Sequence, residues 1–290
     1  MKLPLIVITG PTASGKTSLA IELAKKYGGE IICADSRTIY KGMDIGTAKP
    51  SIIEQATVPH WGLNLVSPGD YFSVVDFKCY AIQKIAEIRV RDHIPFLVGG
   101  TGLYIDSVLF DYKFGPPANE EFRSELQHME IEELQQHCNE NMILLPENKK
   151  NKRYLIRTIE SKGFKPDNRK KPIDFSIVVG ITTNKEVLRN RIVQRFEQML
   201  NDGVVEEASQ IGEKYGWNNE AMKSNIYPLI HLYFEKVLSL NEVKNKFIVS
   251  DWRLAKRQMT WLRRNKFIHW LSLNDSKKYL SDQLAIYENS

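Results

Sequence analysis

The stretch that most restricts this chain is "GPTASGKT", residues Gly10 to Thr17, set between the apolar run "LIVIT" and the helix-favouring "SLAIELAKKYG". The spacing G-x-x-x-x-G-K-[ST] makes a phosphate-binding loop. Gly10 and Gly15 let backbone amides close around a phosphate, and the start of the next helix adds partial positive charge. Pro11, Thr12, Ala13 and Ser14 form the body of the loop. Lys16 offers a cation to the outer phosphate, and the Thr17 hydroxyl is the candidate ligand for Mg²⁺. A strand, a loop and a helix in that order commit the N-terminal part to an α/β fold.

Two further apolar runs, "EIICADS" and "IPFLVGGTG", read as strands, and "FSVVDFKCYAIQKIAEIRVRD" between them reads as an amphipathic helix. Strands alternating with helices predict a parallel sheet flanked by helices, the arrangement of phosphate-loop NTPases. The character changes near Phe114. Polar, helix-favouring segments then run to the turn-rich "GFKPDNRKKP", and the apolar "DFSIVVGITT" resumes the sheet. The expected organisation is a catalytic core of residues 1–112 and 174–290, with a helical insertion over residues 113–173. Long charged helices are expected in "KEVLRNRIVQRFEQMLNDG" and "WRLAKRQMTWLRRN".

At 290 residues the chain is long enough for such a core. No apolar run approaches the roughly 18–20 residues of a membrane span, and the chain reads as cytoplasmic. Cys33, Cys79 and Cys138 are odd in number and widely spaced, so neither a disulfide framework nor a zinc site is suggested. Charge is more informative. The net +5 is unevenly placed, because Lys149–Pro172 holds ten cations against Glu160 and Asp167. Arg253–Lys266 holds six cations and no acid, so the two stretches carry +14 and the remaining chain −9. Concentrated cations on an otherwise acidic body suit contacts with a polyanion; a solvated basic surface is the plainer reading.

The loop is a nucleotide-binding, ATP-binding signature, but its usual companions are missing. An NTPase carries a strand-end Asp for the metal. The strand "IPFLVGG" ends instead in Gly99 and Gly100, and "TTNKEV" lacks the Asp that would read a guanine. The acid near the loop is Asp35, at the end of the second strand. Strand ends of an open α/β sheet face the ligand crevice, so Gly10–Thr17, Asp35 and Gly99–Gly102 converge there. Asp35-Ser36 also suits a helix cap.

Taken in order, "GPTASGKT", "ADSRTIYKGMDIGTAKP", "VPH", "YFSVVDF", "LVGGTGLY", "RIVQRFEQML" and "LAKRQMTWLRR" resemble the bacterial tRNA dimethylallyltransferases, which prenylate the adenosine next to the anticodon. The resemblance spans almost the whole chain. It implies that the loop holds the diphosphate of dimethylallyl diphosphate rather than ATP, with Mg²⁺ at Thr17. It implies that Asp35 is the catalytic carboxylate on N6 of adenosine 37, and that Thr101 and Arg195 stabilise the diphosphate and its bridging oxygen. It places Asp35, Ser36, Arg37, Thr38, Thr101, Arg123, Arg153, Arg157, Arg253, Lys256, Arg257 and Arg264 against tRNA. The last four recur at helical spacings, with Trp261 on the same flank. A monomer is expected.

The chain departs from the family pattern at Thr38, Tyr154 and Ile226 and in its short insertion, all on the RNA side. Rival readings are an adenylate isopentenyltransferase, which has no need of two basic segments, and a small-molecule kinase, against which the missing strand-end Asp argues. An RNA-binding protein with a vestigial loop is a third, and the intact Lys16, Thr17, Asp35, Thr101 and Arg195 argue against it.

Overall fold

The computed structural model describes residues 3–115, 119–164 and 168–288, so Lys165 and Asp167 of the first basic stretch lie outside the described residues. Two compact units divide the chain, residues 1–110 with 171–290 and residues 111–170.

The larger unit begins β1 (Leu5–Thr9), α1 (Lys16–Tyr27), β2 (Gly29–Cys33), α2 (Ile52–Thr57), β3 (His60–Trp61), α3 (Val74–Val90), β4 (Ile94–Gly99) and α4 (Gly102–Leu109). The smaller unit holds α5 (Glu120–His128), α6 (Ile131–Glu140) and α7 (Lys152–Glu160). The larger unit then continues with β5 (Ser176–Ile181), α8 (Lys185–Asn201), α9 (Val204–Tyr215), α10 (Tyr227–Phe234), α11 (Leu240–Leu262), β6 (His269–Leu271) and α12 (Leu273–Glu288).

Six parallel strands form one sheet in the order β3-β2-β4-β1-β5-β6. Every residue of β1 is buried, as expected of a strand covered on both faces. Ile6 and Ile8 face a layer built with Leu19 and Leu23 of α1 and Leu280 and Leu284 of α12. Leu5 and Val7, of opposite parity, pack with Phe77 and Ile85 of α3 and Ile105 of α4. A third cluster joins α8, α9, α10 and α11 around Phe196, Tyr227 and Phe247, and reaches Ile39 and Met43 of the segment after β2.

Local chemistry sets several boundaries. Helix α1 ends at Gly28, whose φ of +64° is left-handed and whose N–H donates to the Ala24 carbonyl. Capping boxes open α3 at Ser73 with Asp76 and α11 at Ser239 with Glu242. Helix α11 begins well before the expected "WRLAKRQMTWLRRN" and stops at Leu262, because Arg263 is its C-cap. Arg264 lies one residue past that cap and rests over the Trp261 ring, 5.4 Å from its centre.

The smaller unit closes over its own core of Leu126, Leu134, Cys138, Leu155, Ile156 and Ile159. Its Glu160 is buried and takes both Nε and Nη2 of Arg123, at 2.6 and 2.7 Å. Cys33, Cys79 and Cys138 are free thiols. No helix among the described residues is long and apolar enough to cross a membrane.

Candidate active site

The carboxyl ends of β1, β2 and β4 meet at a cavity of about 780 Å³. The phosphate loop forms one wall. Gly15, at the start of α1, has a φ of +91°, and no side chain caps this helix. The first-turn amides therefore remain open to an anion. The loop carbonyls are committed elsewhere. Pro11 O receives Lys16 Nζ at 3.1 Å, and Arg191 Nη1 donates to Ala13 O at 3.3 Å and Ser14 O at 3.1 Å. Arg195 Nη1 donates to Thr12 Oγ1 and stands 3.7 Å from Asp251 Oδ2.

Three cations thus converge on one loop, and burial holds Lys16 down to about 8, with nearby Asp35 opposing that shift and Arg195 adding to it. An arriving polyphosphate relieves this crowding, which is the electrostatic signature of an anion site. Leu19, Ala20, Ile31, Cys33 and Val98 add apolar lining to the same cavity. Burial, with the Asp35 charge adding to it, pushes the Cys33 thiol up to about 12, so it is an inert wall rather than a nucleophile.

Asp35 lines the cavity two residues past β2 and accepts the Arg37 amide at 2.8 Å. Thr101, just past β4, ties the two strand ends together. Its amide donates to Ala34 O at 3.2 Å and its hydroxyl accepts the Ser36 amide at 3.1 Å. Gly99 has no room for the Asp of an NTPase, because a Cβ there would stand 2.0 Å from the Ala34 carbonyl oxygen.

Thr17 lines the same cavity, and among the described residues no three His, Cys, Asp or Glu side chains cluster as a metal cage. One hydroxyl beside a polyanion pocket suits Mg²⁺, which keeps most of its water and takes substrate phosphate oxygens.

The cavity thus gathers Thr12, Ala13, Gly15, Lys16 and Thr17 of the loop with Asp35, Thr38 and Arg195, whereas Gly10, Pro11 and Ser14 do not line it. The other expected RNA contacts are distributed differently. Arg37 donates to Glu220 O at 2.8 Å, and Arg123 is paired with Glu160. Arg157 Nη1 stands 3.5 Å from Glu160 Oε2, whereas Arg153, Arg253, Lys256 and Arg257 are exposed.

Spacing arguments did not single out Gln258, Arg191 or Glu207. Gln258 Oε1 accepts the Thr12 amide at 2.8 Å, and a Cβ on Gly100 would fall 2.4 Å from its Nε2. Trp261, one turn on, would meet a Cβ on Gly102 at 2.1 Å. Two glycines of "LVGGTGLY" are therefore small because α11 packs onto them. The signal was present: Gln258 sits three residues after Ala255 and four before Leu262, both buried, so it marks the inward face. Glu207 on α9 accepts the amides of Asp44, Ile45 and Gly46 and the Tyr227 hydroxyl, at 2.7 to 2.9 Å. That knot holds "MDIGTAKP", whose Thr47 and Ala48 line the cavity.

A family model described as IPP transferase matches residues 38–265, and one described as isopentenyl transferase matches residues 2–58. The chain belongs to the IPP transferase family. The tRNA dimethylallyltransferase of Geobacillus thermodenitrificans is 36% identical, over 95% of this chain and 92% of that one. The corresponding Bacillus subtilis protein is 34% identical, over 94% and 91%. The crystal structure of the tRNA isopentenylpyrophosphate transferase of Bacillus halodurans superposes with a TM-score of 0.74 at 30% identity, covering 100% of this chain and 99% of that one. A eukaryotic dimethylallyltransferase acting on tRNA, at 22% identity and a TM-score of 0.77, shares the fold. This IPP transferase thus shares its overall fold with these solved proteins.

Proposed function

We propose that this IPP transferase moves the dimethylallyl group of dimethylallyl diphosphate to N6 of adenosine 37 beside a tRNA anticodon. The products are N6-isopentenyladenosine and diphosphate. The observation that carries the reading is one cavity that joins a cationic phosphate loop, apolar lining and two carboxylates, of which Glu22 is paired with Lys277 and Asp35 stands at the strand end beside the loop. A five-carbon chain on a diphosphate has both of these characters.

The allylic C–O bond breaks with its electron pair going to the diphosphate oxygen, and the N6 lone pair forms the new C–N bond. Lys16, Arg191, Arg195 and the open end of α1 stabilise the growing negative charge, and such fixed dipoles and cations supply the largest share of catalysis. Mg²⁺ held at Thr17 would add charge to the leaving group. Asp35 orients the weakly nucleophilic N6 and takes its proton. Thr101 keeps the Asp35 turn in place through the Ser36 amide and, as the resemblance implies, contributes to the bridging oxygen.

A stacked base cannot reach this cavity, so the adenosine is flipped out of the anticodon loop. Exposed Arg153, Arg253, Lys256 and Arg257 supply phosphate contacts, as do Arg264 on its Trp261 platform and Arg157. Ser36, Arg37 and Thr38 lie next to the incoming base. We read the protein as acting as a monomer, in the cytoplasm where the tRNA is.

The test is purified protein with Mg²⁺ and labelled dimethylallyl diphosphate. Label is expected on tRNAs carrying A36-A37, and Asp35→Ala is expected to abolish transfer while tRNA still binds. Label on free AMP but not on tRNA would identify an adenylate prenyltransferase instead.

A further inference from the structure

Asp251 lies on α11 and is 1% exposed. Its Oδ1 accepts Asn225 Nδ2 at 2.6 Å, whereas Oδ2 has no hydrogen-bond partner among the described residues. That oxygen stands 3.7 Å from Arg195 Nη1, an ion pair too long for a hydrogen bond. Arg195 is itself only partly satisfied. Nη1 donates to Thr12 Oγ1, but Nε is buried without a partner. Buried polar atoms left unpaired are uncommon and call for a reason, and a carboxylate is retained at such depth only beside a cation.

The reason lies in what Arg195 has to do. A long side chain from α8 must hold its guanidinium at the edge of the phosphate loop, and an arginine has much rotamer freedom to lose. Helix α11 packs against α8 through Phe247 and Phe196, with ring centres 5.4 Å apart, so Asp251 is fixed relative to Arg195 by the core itself. Asp251 and Gln258 are two helical turns apart on one face, and both act on Thr12. Gln258 takes its amide, and Asp251 holds the arginine that bonds its hydroxyl.

We propose that Asp251 is a positioning residue that sets Arg195 against the phosphate loop and offsets its charge until a diphosphate arrives, without touching substrate. This rests on the reading of the loop as a diphosphate site. A cation anchored at 3.7 Å is held in place by charge while its Nη1 stays on Thr12 of the phosphate loop.

The test is calorimetric binding of inorganic diphosphate to the full-length protein with Mg²⁺, alongside kcat and KM for dimethylallyl diphosphate. The variants are Asp251→Asn, Arg195→Gln and their combination. Asp251→Asn is expected to tighten inorganic diphosphate about three- to tenfold, because the Arg195 charge is no longer offset by a carboxylate. Its kcat is expected to fall about tenfold as Arg195 loses its orientation. In the Arg195→Gln background the same substitution is expected to change neither quantity, since coupled residues are non-additive. Asn225→Ala leaves the carboxylate but removes its hydrogen bond, and is expected to lower kcat several-fold only when Arg195 is present. Unchanged binding and turnover in Asp251→Asn, or equal shifts in both backgrounds, would overturn the proposal. Failure of the unaltered protein to bind inorganic diphosphate overturns the functional reading and this proposal with it.

Discussion

Strand β2 carries an acid near its start and leads to another just past its end, and the two live differently. Glu30 is 2% exposed and receives Trp61 Nε1, Arg91 Nε and Nη2, and the ring nitrogen of His93, all within 2.6 to 2.9 Å. Burial pushes its carboxyl up, but the bonds from Arg91, His93 and Trp61 outweigh burial and hold it near 2. Asp35, at the other end, accepts one backbone amide and faces a cavity lined by cations. A carboxylate with every lone pair filled fastens a sheet. One with spare capacity beside a cavity is placed for chemistry.

The contrast is broken most severely at Asp35. Asp35→Asn is expected to lower transfer of label by roughly 10²- to 10⁴-fold, the usual contribution of a positioned base. Its melting temperature should stay near that of the unaltered protein. Glu30→Ala is expected to do the reverse, costing about 1–3 kcal/mol in a denaturant titration while turnover per folded molecule is preserved. A turnover loss at Glu30, or a large stability loss at Asp35, would erase the distinction.

The Glu30 contribution also has a pH signature. Its carboxyl is depressed from 4.5 to about 2 in the fold, so its stabilisation is full above about pH 4.5. It is lost as pH falls toward 2. The stability gap between the unaltered protein and Glu30→Ala should therefore close over that window.

Smaller effects sharpen the cavity side. Gln258→Leu removes the acceptor for the Thr12 amide without losing bulk, and up to about tenfold weaker binding of inorganic diphosphate is expected. Lys16, held at about 8, is charged below that pH and loses its charge above it. Diphosphate affinity should weaken several-fold between pH 7 and pH 9.5, beyond the change seen in Lys16→Met under the same titration. A parallel pH dependence in the two proteins would remove Lys16 from the site.

Much of this was legible in the residues. The loop, its strand and helix, the convergence of Asp35 with it, and the absence of a strand-end Asp all follow from spacing within a few residues. The roles of several cations were not legible. Arg123 and Arg153 look alike as arginines of polar, helix-favouring segments, but Arg123 closes on Glu160 and Arg153 is exposed. A side chain thirty-seven residues away made that difference. "LVGGTGLY" similarly looks like a ligand turn, yet Gly100 and Gly102 make room for Gln258 and Trp261.

By itself the sequence determined the α/β order of elements and the anion site, because glycine spacing, helix starts and strand periodicity act over one or two turns of chain. The family resemblance of its motifs added the diphosphate and the tRNA. Tertiary structure alone decided which side chains aim the site. Gln258 reaches Thr12 across 246 residues, Arg191 reaches Ala13 across 178 and Glu207 reaches Asp44 across 163. Such pairings depend on how α8, α9 and α11 pack over the strand ends, and no local propensity encodes that packing.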